Sequence, residues 1–306
     1  MICGEIKDEQ NRIDLKEEVS SRRHVMHKTT GSRHGPISRL ISPSDLGQTL
    51  KPFVFLDDFS IPSIGGFKGF GWHPHSGIAT VTVLLKGQIW FEETTAKGII
   101  ETGGVEYFQA GHGAWHQGGP DVANSPADIK GYQLWVSLPE SLENAPPLSK
   151  YLNRNEIPTV DGGKVRLILG SYNGASSSIP LEGLNYLDIS LESGERWVYE
   201  TPTQHNVAFL TVSQGDLRTV YEGGAQDDKG EQVKEGELVV FSEGNGNITV
   251  EAGRNGPVRF ILGSAERHPH DLVCGRYSVH TSSSALVKGE SQINLVGKQL
   301  KEKGLI

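Results

Sequence analysis

Cysteine is nearly absent. Cys3 and Cys274 stand at opposite ends of a 306-residue chain, which fits neither a disulfide framework nor a thiolate metal site and points to a reducing compartment. Long apolar runs are missing as well: no stretch approaches the length that spans a bilayer, and the charged segment from Glu5 to Lys16 holds no apolar core of signal-peptide length. Nor is there a dense Lys/Arg block, and the formal net charge is −8, which argues against a protein whose main partner is a phosphate backbone. The expectation is a soluble cytoplasmic protein with a small-molecule or protein partner, no membrane association and no direct contact with nucleic acid.

What is abundant is glycine, with 38 residues, beside 15 prolines. Long helices do not tolerate that content, and the Val- and Thr-rich runs between these residues favour many short strands joined by turns. The length suggests two domains of about 120 to 150 residues each. The fold class expected is all-β. Residues 1–24 read as a polar extension, residues 25–140 as a first β domain, 141–160 as a linker and 161–306 as a second β domain with a short terminal helix.

In the first domain Pro52 to Phe59 reads as a buried strand ending in acids, Ile78 to Leu85 and Gln88 to Thr95 as strands joined at Gly87, and Lys97-Gly98 as a turn. Val105 to Phe108 and Gly131 to Leu138 complete an antiparallel meander. At most a short helix is expected around Leu148 to Asn153. Seven further strands are expected between Val165 and Leu262. After the capping residues Ser282 to Ser284, Leu286, Ile293, Val296 and Leu300 share a helical face that Gly289 and Gly297 interrupt; the simplest role for this face is docking against a sheet.

The chemistry gathers around His73-Pro74-His75, just before the strand at Ile78, and Gly111-His112-Gly113-Ala114-Trp115-His116 farther on. Residues two apart on a strand face the same side, so His73 and His75 can aim two imidazoles into one cavity and His116 can supply a third from a later strand. A His-x-His pair alone has almost no specificity. The second pair, His268-Pro269-His270, lacks an alternating strand after it and reads as loop or packing. Trp72, Phe91 and Trp115 are placed near the mouth of the pocket, to stack on a planar substrate or to fill barrel core. Glu92, Glu93, Glu101 and Glu106 are candidate acids for the pocket, with a solvated face as the plainer reading for each.

Taken in order, Pro52 to Phe59, His73-Pro74-His75-Ser76-Gly77 with Thr80-Val81-Thr82, Ala110-Gly111-His112-Gly113, and Gln133-Leu134-Trp135-Val136 before Pro139 resemble the successive signatures of pirins. The resemblance spans about residues 25 to 300. It implies a bicupin, two antiparallel β-barrels with a metal in the N-terminal one, iron above all. It also implies either quercetin 2,3-dioxygenase activity on a flavonol or similar small aromatic, or a non-catalytic, metal- or redox-responsive role through a regulatory protein partner. Carried over, the family's ligands fall on His73, His75, His116 and, where a glutamate is expected, Gly118. The other customary cupin position for a glutamate is Ala79. Three neutral imidazoles can still hold a divalent metal, zinc, copper, nickel, manganese or iron, with the fourth position left to His112 or water. Gln117 is expected to point away from His116.

Overall fold

The computed structural model describes residues 23–63, 66–121, 128–221 and 230–306. The polar extension lies outside these residues up to residue 22. Two β-structures of matching plan follow one another, each a seven-stranded antiparallel sheet facing a four-stranded one. In the first half the larger sheet runs in the order Leu148–Leu152, Val105–Gln109, Ile78–Lys86, Ile129–Ser137, Phe53–Ile61, Ile37–Ile41 and Ser32–His34; the smaller one runs Phe70–His75, Ala114–Pro120, Gln88–Glu93 and Lys97–Glu101. In the second half the small sheet is built from Arg196–Tyr199, Ile248–Ala252, Asp216–Val220 and Gln232–Lys234. The fold is all-β with cupin-like halves, as expected.

Period-two patterning explains how the halves stack. Along Ile78–Lys86, Ala79, Val81 and Val83 turn to a core shared by the two seven-stranded sheets, whereas Thr82 and Leu84 turn into the first barrel. Along Leu184–Leu191, Tyr186 joins the shared core while Leu187, Ile189 and Leu191 fill the second barrel. Phe53 and Phe209 meet edge to face across that shared core with ring centres 5.2 Å apart. Each such fully buried side chain contributes roughly 1.5 to 3 kcal/mol.

Several local expectations give way. Lys97-Gly98 opens a strand, Lys97–Glu101, which pairs with Gln88–Glu93; the reversal falls just before it, at 94–96. Leu148–Leu152 is a strand on the edge of the large sheet, paired with Val105–Gln109, and not a short helix. The terminal helix is 20 residues long, Ser283–Glu302, with the Ser282 hydroxyl accepting from Ala285 N–H. Its glycines survive because the helix crosses other groups there. A Cβ at Gly289 would sit 2.5 Å from Ser76 Oγ, and one at Gly297 would sit 2.8 Å from the Trp115 ring.

The two ends of the described chain also cross over. Val25–Thr29, expected at the start of the first barrel, pairs with Leu238–Phe241 on the edge of the second large sheet, and Arg23 beside it donates to Ser242 and Asn206 carbonyls. Residues after Ala265 return to the first barrel. His268 Nε2–H donates to the Leu138 carbonyl, Ser76 forms a bridge with Ser278, and Trp115 Nε1–H donates to the Ile293 carbonyl of the terminal helix. Hydrophobic periodicity specifies which face of an element is buried but not which half buries it, so this exchange carries no local sequence signal.

Candidate metal centre

His73 and His75 lie on Phe70–His75, and His116 faces His73 across the antiparallel register of Ala114–Pro120. Shared pleat direction therefore brings all three rings into the first barrel. Their ring centres are 5.1 Å (His73 to His75), 4.3 Å (His73 to His116) and 4.9 Å (His75 to His116) apart, and one ligand nitrogen from each lies within 4.8 Å of the others. The floor beneath them is aromatic: His75 packs against Trp135 and His116 stacks on Phe108.

Backbone carbonyls fix two tautomers. His73 Nδ1–H donates to the Gly71 carbonyl at 2.8 Å and His75 Nδ1–H to the Tyr277 carbonyl at 3.0 Å, leaving each Nε2 as a lone pair. Burial, opposed by the Gly71 hydrogen bond, lowers the His73 pKa. Burial and then the neighbouring His73 take His75 down to about 3, and His116 is depressed strongly by burial and by the other two rings. Near neutral pH all three imidazoles are neutral, the form that can coordinate a metal. His116 Nε2 is buried without any hydrogen-bond partner, an orphaned acceptor or donor that costs about 1 to 3 kcal/mol unless a ligand meets it. A divalent cation coordinated by three imidazoles fits this donor set, and iron, zinc, copper, nickel and manganese all accept imidazole.

The carboxylate positions behave differently from one another. Ala79 faces the core between the halves, so a glutamate there would point away from the imidazoles. Gly118 lines the cavity, but its strand is pinned closely: a Cβ on it would lie 2.9 Å from the Trp90 carbonyl oxygen, and one on Gly119 would lie 2.7 Å from Gly69 Cα. His112 does not serve as a fourth ligand. Its backbone N–H and its ring Nδ1–H both donate to the Ala145 carbonyl, in a turn flanked by the positive φ of Gly111 and Gly113. Gln117 alternates away from His116, as expected, and its Nε2–H donates to Glu92 Oε2.

Two acids go inward. Glu93 pairs in register with His116 and is buried, as is Glu106 opposite Thr82. Thr82 Oγ1–H donates to Glu106 Oε2 at 2.7 Å, and Thr95 and Ser149 hydroxyls donate to Glu93. Burial raises both carboxyls above their ordinary range, and the charge of Glu106 raises Glu93 further. A solvated-face reading therefore fails for Glu93 and Glu106. The inward acids could be narrowed from strand parity but not assigned, because parity leaves the absolute facing open.

The three histidines and Glu106 border a cavity of about 330 Å³ whose walls also include Phe55, Phe70, Phe91 and Trp135 with Arg39 and Arg276. Asp57 is paired there with Arg39, whose Nε–H and Nη2–H donate to its two oxygens at 3.0 and 3.1 Å, and the Arg39 guanidinium lies over Phe55. Phe91 thus takes the wall position expected of it. Trp115 does not: it is spent on the terminal helix. Trp72 is half-buried, and the cavity wall uses Trp135 in its place.

The Pirin family model matches residues 36–136. A pirin-like protein of Arabidopsis thaliana is 33% identical over 224 residues, covering 70% of this chain and 69% of that one. A Pseudomonas aeruginosa protein provisionally named a quercetin 2,3-dioxygenase is 30% identical, covering 76% of this chain and 85% of the relative. Among solved structures, a quercetin 2,3-dioxygenase from Acinetobacter baumannii aligns with a TM-score of 0.76 at 22% identity over 89% of this chain and 96% of that one, which shows a shared fold. Both sequence and geometry lead to one assignment: the chain belongs to the pirin family, with a three-histidine cluster capable of holding a divalent metal and without the family's glutamate ligand.

Proposed function

We propose that His73, His75 and His116 bind a divalent metal, iron foremost, and that the chain is a metal-dependent oxidoreductase acting on a flavonol or similar small aromatic. The observation that carries this reading is the orphaned His116 Nε2 beside two tautomer-fixed imidazoles in an aromatic-walled cavity. The names of two relatives supply the substrate class. A bound cation would polarise a substrate oxygen and acidify its proton. The chain's own groups do the rest. Phe55, Phe91 and Trp135 hold a planar ring away from water, and Glu106, steadied by Thr82, is the cavity group that holds or takes up a proton. The test is oxygen uptake together with loss of flavonol absorbance after loading with iron, copper, nickel or manganese. Turnover is expected to depend on metal and to vanish in His73→Ala; absence of turnover with all four metals sinks the reading.

A second reading follows from Gly118, where no carboxylate offsets the metal's charge. It makes the protein a non-catalytic, metal- or redox-responsive binder of a regulatory protein. Pull-downs are then expected to recover a partner in amounts that change with chelator, and recovery indifferent to both chelator and His75→Ala counts against it.

A further inference from the structure

The return of the C-terminal segment to the first barrel brings an unusual row of buried polar groups together. Glu143, in the segment that reads from sequence as a linker, is 1% exposed and accepts from His280 Nδ1–H at 3.0 Å, from Thr281 N–H at 2.8 Å and from Thr281 Oγ1–H at 2.7 Å. His280 Nε2 lies 2.9 Å from Ser76 Oγ, and Ser76 Oγ–H donates to Ser278 Oγ at 2.8 Å. The sequence Ser76, His280, Glu143 is that of a nucleophile, a base and an orienting acid. It does no such chemistry here, because Ser76 is fully buried and Gly289 of the terminal helix closes over its hydroxyl.

What these bonds do accomplish is placement. They clamp residues 275–281 from both sides, and within that strap the Tyr277 carbonyl is the acceptor that fixes His75 Nδ1–H. His73 takes its acceptor from Gly71 two residues away. His75 takes its own from a residue 202 positions farther along the chain. The same strap sets Arg276 and Tyr277 in the cavity wall.

We propose that the strap 275–281 is the outer support of the metal centre, with Glu143, Ser278 and His280 as positioning residues that act on His75 through the Tyr277 carbonyl. This rests on the metal reading above for its consequence, but the tautomer of His75 is a property of the metal-free protein. A ligand imidazole that loses the acceptor on its other nitrogen rotates and shares its proton between both nitrogens, which typically lowers metal affinity by about 10- to 100-fold.

The experiment uses the full chain with Co²⁺ as probe, followed by its visible absorption, and with ¹⁵N chemical shifts of the histidine rings in the metal-free state. Glu143→Ala is expected to lower Co²⁺ affinity by about tenfold or more and to mix the tautomers of His75 while His73 keeps its Nδ1–H form. Ser278→Ala, a milder change that keeps the buried carboxylate paired, is expected to shift both readouts in the same direction to a smaller degree. A general loosening of the barrel would disturb His73 and His75 alike. If Glu143→Ala does not fold, Ser278→Ala decides. Folded variants in which the His75 tautomer is unchanged, or in which both rings change together, overturn the proposal. Should the unsubstituted protein fail to bind Co²⁺, the metal reading falls and the tautomer comparison still decides the role of the strap.

Discussion

The two barrels share a plan of seven strands against four, yet their interiors are opposites. In the second, Trp197, Tyr199, Leu217, Val250 and Phe260 close the inside into a continuous apolar core. In the first, the corresponding space carries three imidazoles and two inward carboxyls, and a cavity remains. One copy of the architecture therefore supplies stability through packing and the other gives up packing for a polar pocket, consistent with sites being grafted onto a fold and not dictated by it.

Truncations test that contrast most strongly. Phe260→Ala, inside the filled barrel, is expected to cost about 3 to 5 kcal/mol in denaturant unfolding, whereas Phe91→Ala on the cavity wall is expected to cost at most about 2 kcal/mol; equal losses would break the comparison. Next in size is Asp188, buried and bonded to Arg166 and Arg259. Burial raises its carboxyl, but the hydrogen bonds and charges of the two arginines outweigh it and leave its pKa below the ordinary value. A depressed carboxyl stabilises the fold above its unfolded pKa of about 3.9 and loses that contribution as pH falls through the folded value. Asp188→Asn is expected to cost about 3 kcal/mol at pH 7, and the gap from the unsubstituted protein should narrow on acidification below about pH 4.

The inward acids of the hollow barrel have the opposite sign. Their raised pKa values make the fold most stable below the unfolded value of about 4.3, with stability lost as pH rises toward the folded value. Glu106→Gln is expected to flatten this decline between pH 5 and 8, as read from thermal midpoints, and to abolish the proposed flavonol turnover while leaving Co²⁺ affinity unchanged. The smallest effect concerns Gly118→Glu. It is expected to tighten Fe²⁺ binding only a few-fold, because the new Cβ must displace the Trp90 carbonyl, and to cost about 1 kcal/mol in stability. Unaltered affinity in an iron titration would mean that the carboxyl cannot reach the imidazoles.

Much of the hollow barrel was legible in the sequence because its information is local. Strand parity places His73 beside His75, and the turn signals around Gly87 set the meander. Glu143 shows where legibility ends. A charged residue in a Pro-rich stretch reads as solvated linker, and its burial is made favourable by His280 and Thr281, 137 and 138 positions away. The same holds for Gly289: a helix-weakening residue by propensity, it is required by a close approach to Ser76 that no periodicity encodes. Leu148–Leu152 was legible as a short element but not as a strand, since its pairing edge on Val105–Gln109 is supplied by another part of the chain.

The crossed ends of the chain also impose an order in time. During synthesis from the N-terminus, His73, His75 and His116 have all emerged long before Tyr277, so the barrel that carries the imidazoles is made first and its His75 stays without a fixed tautomer. Val279–His280 and the helix Ser283–Glu302, made later still, then close over Ser76 and Trp115. Completion of the pocket thereby waits for Tyr277, and a chain cut at the end of the first barrel keeps the Gly71 acceptor of His73 but lacks the one that orients His75.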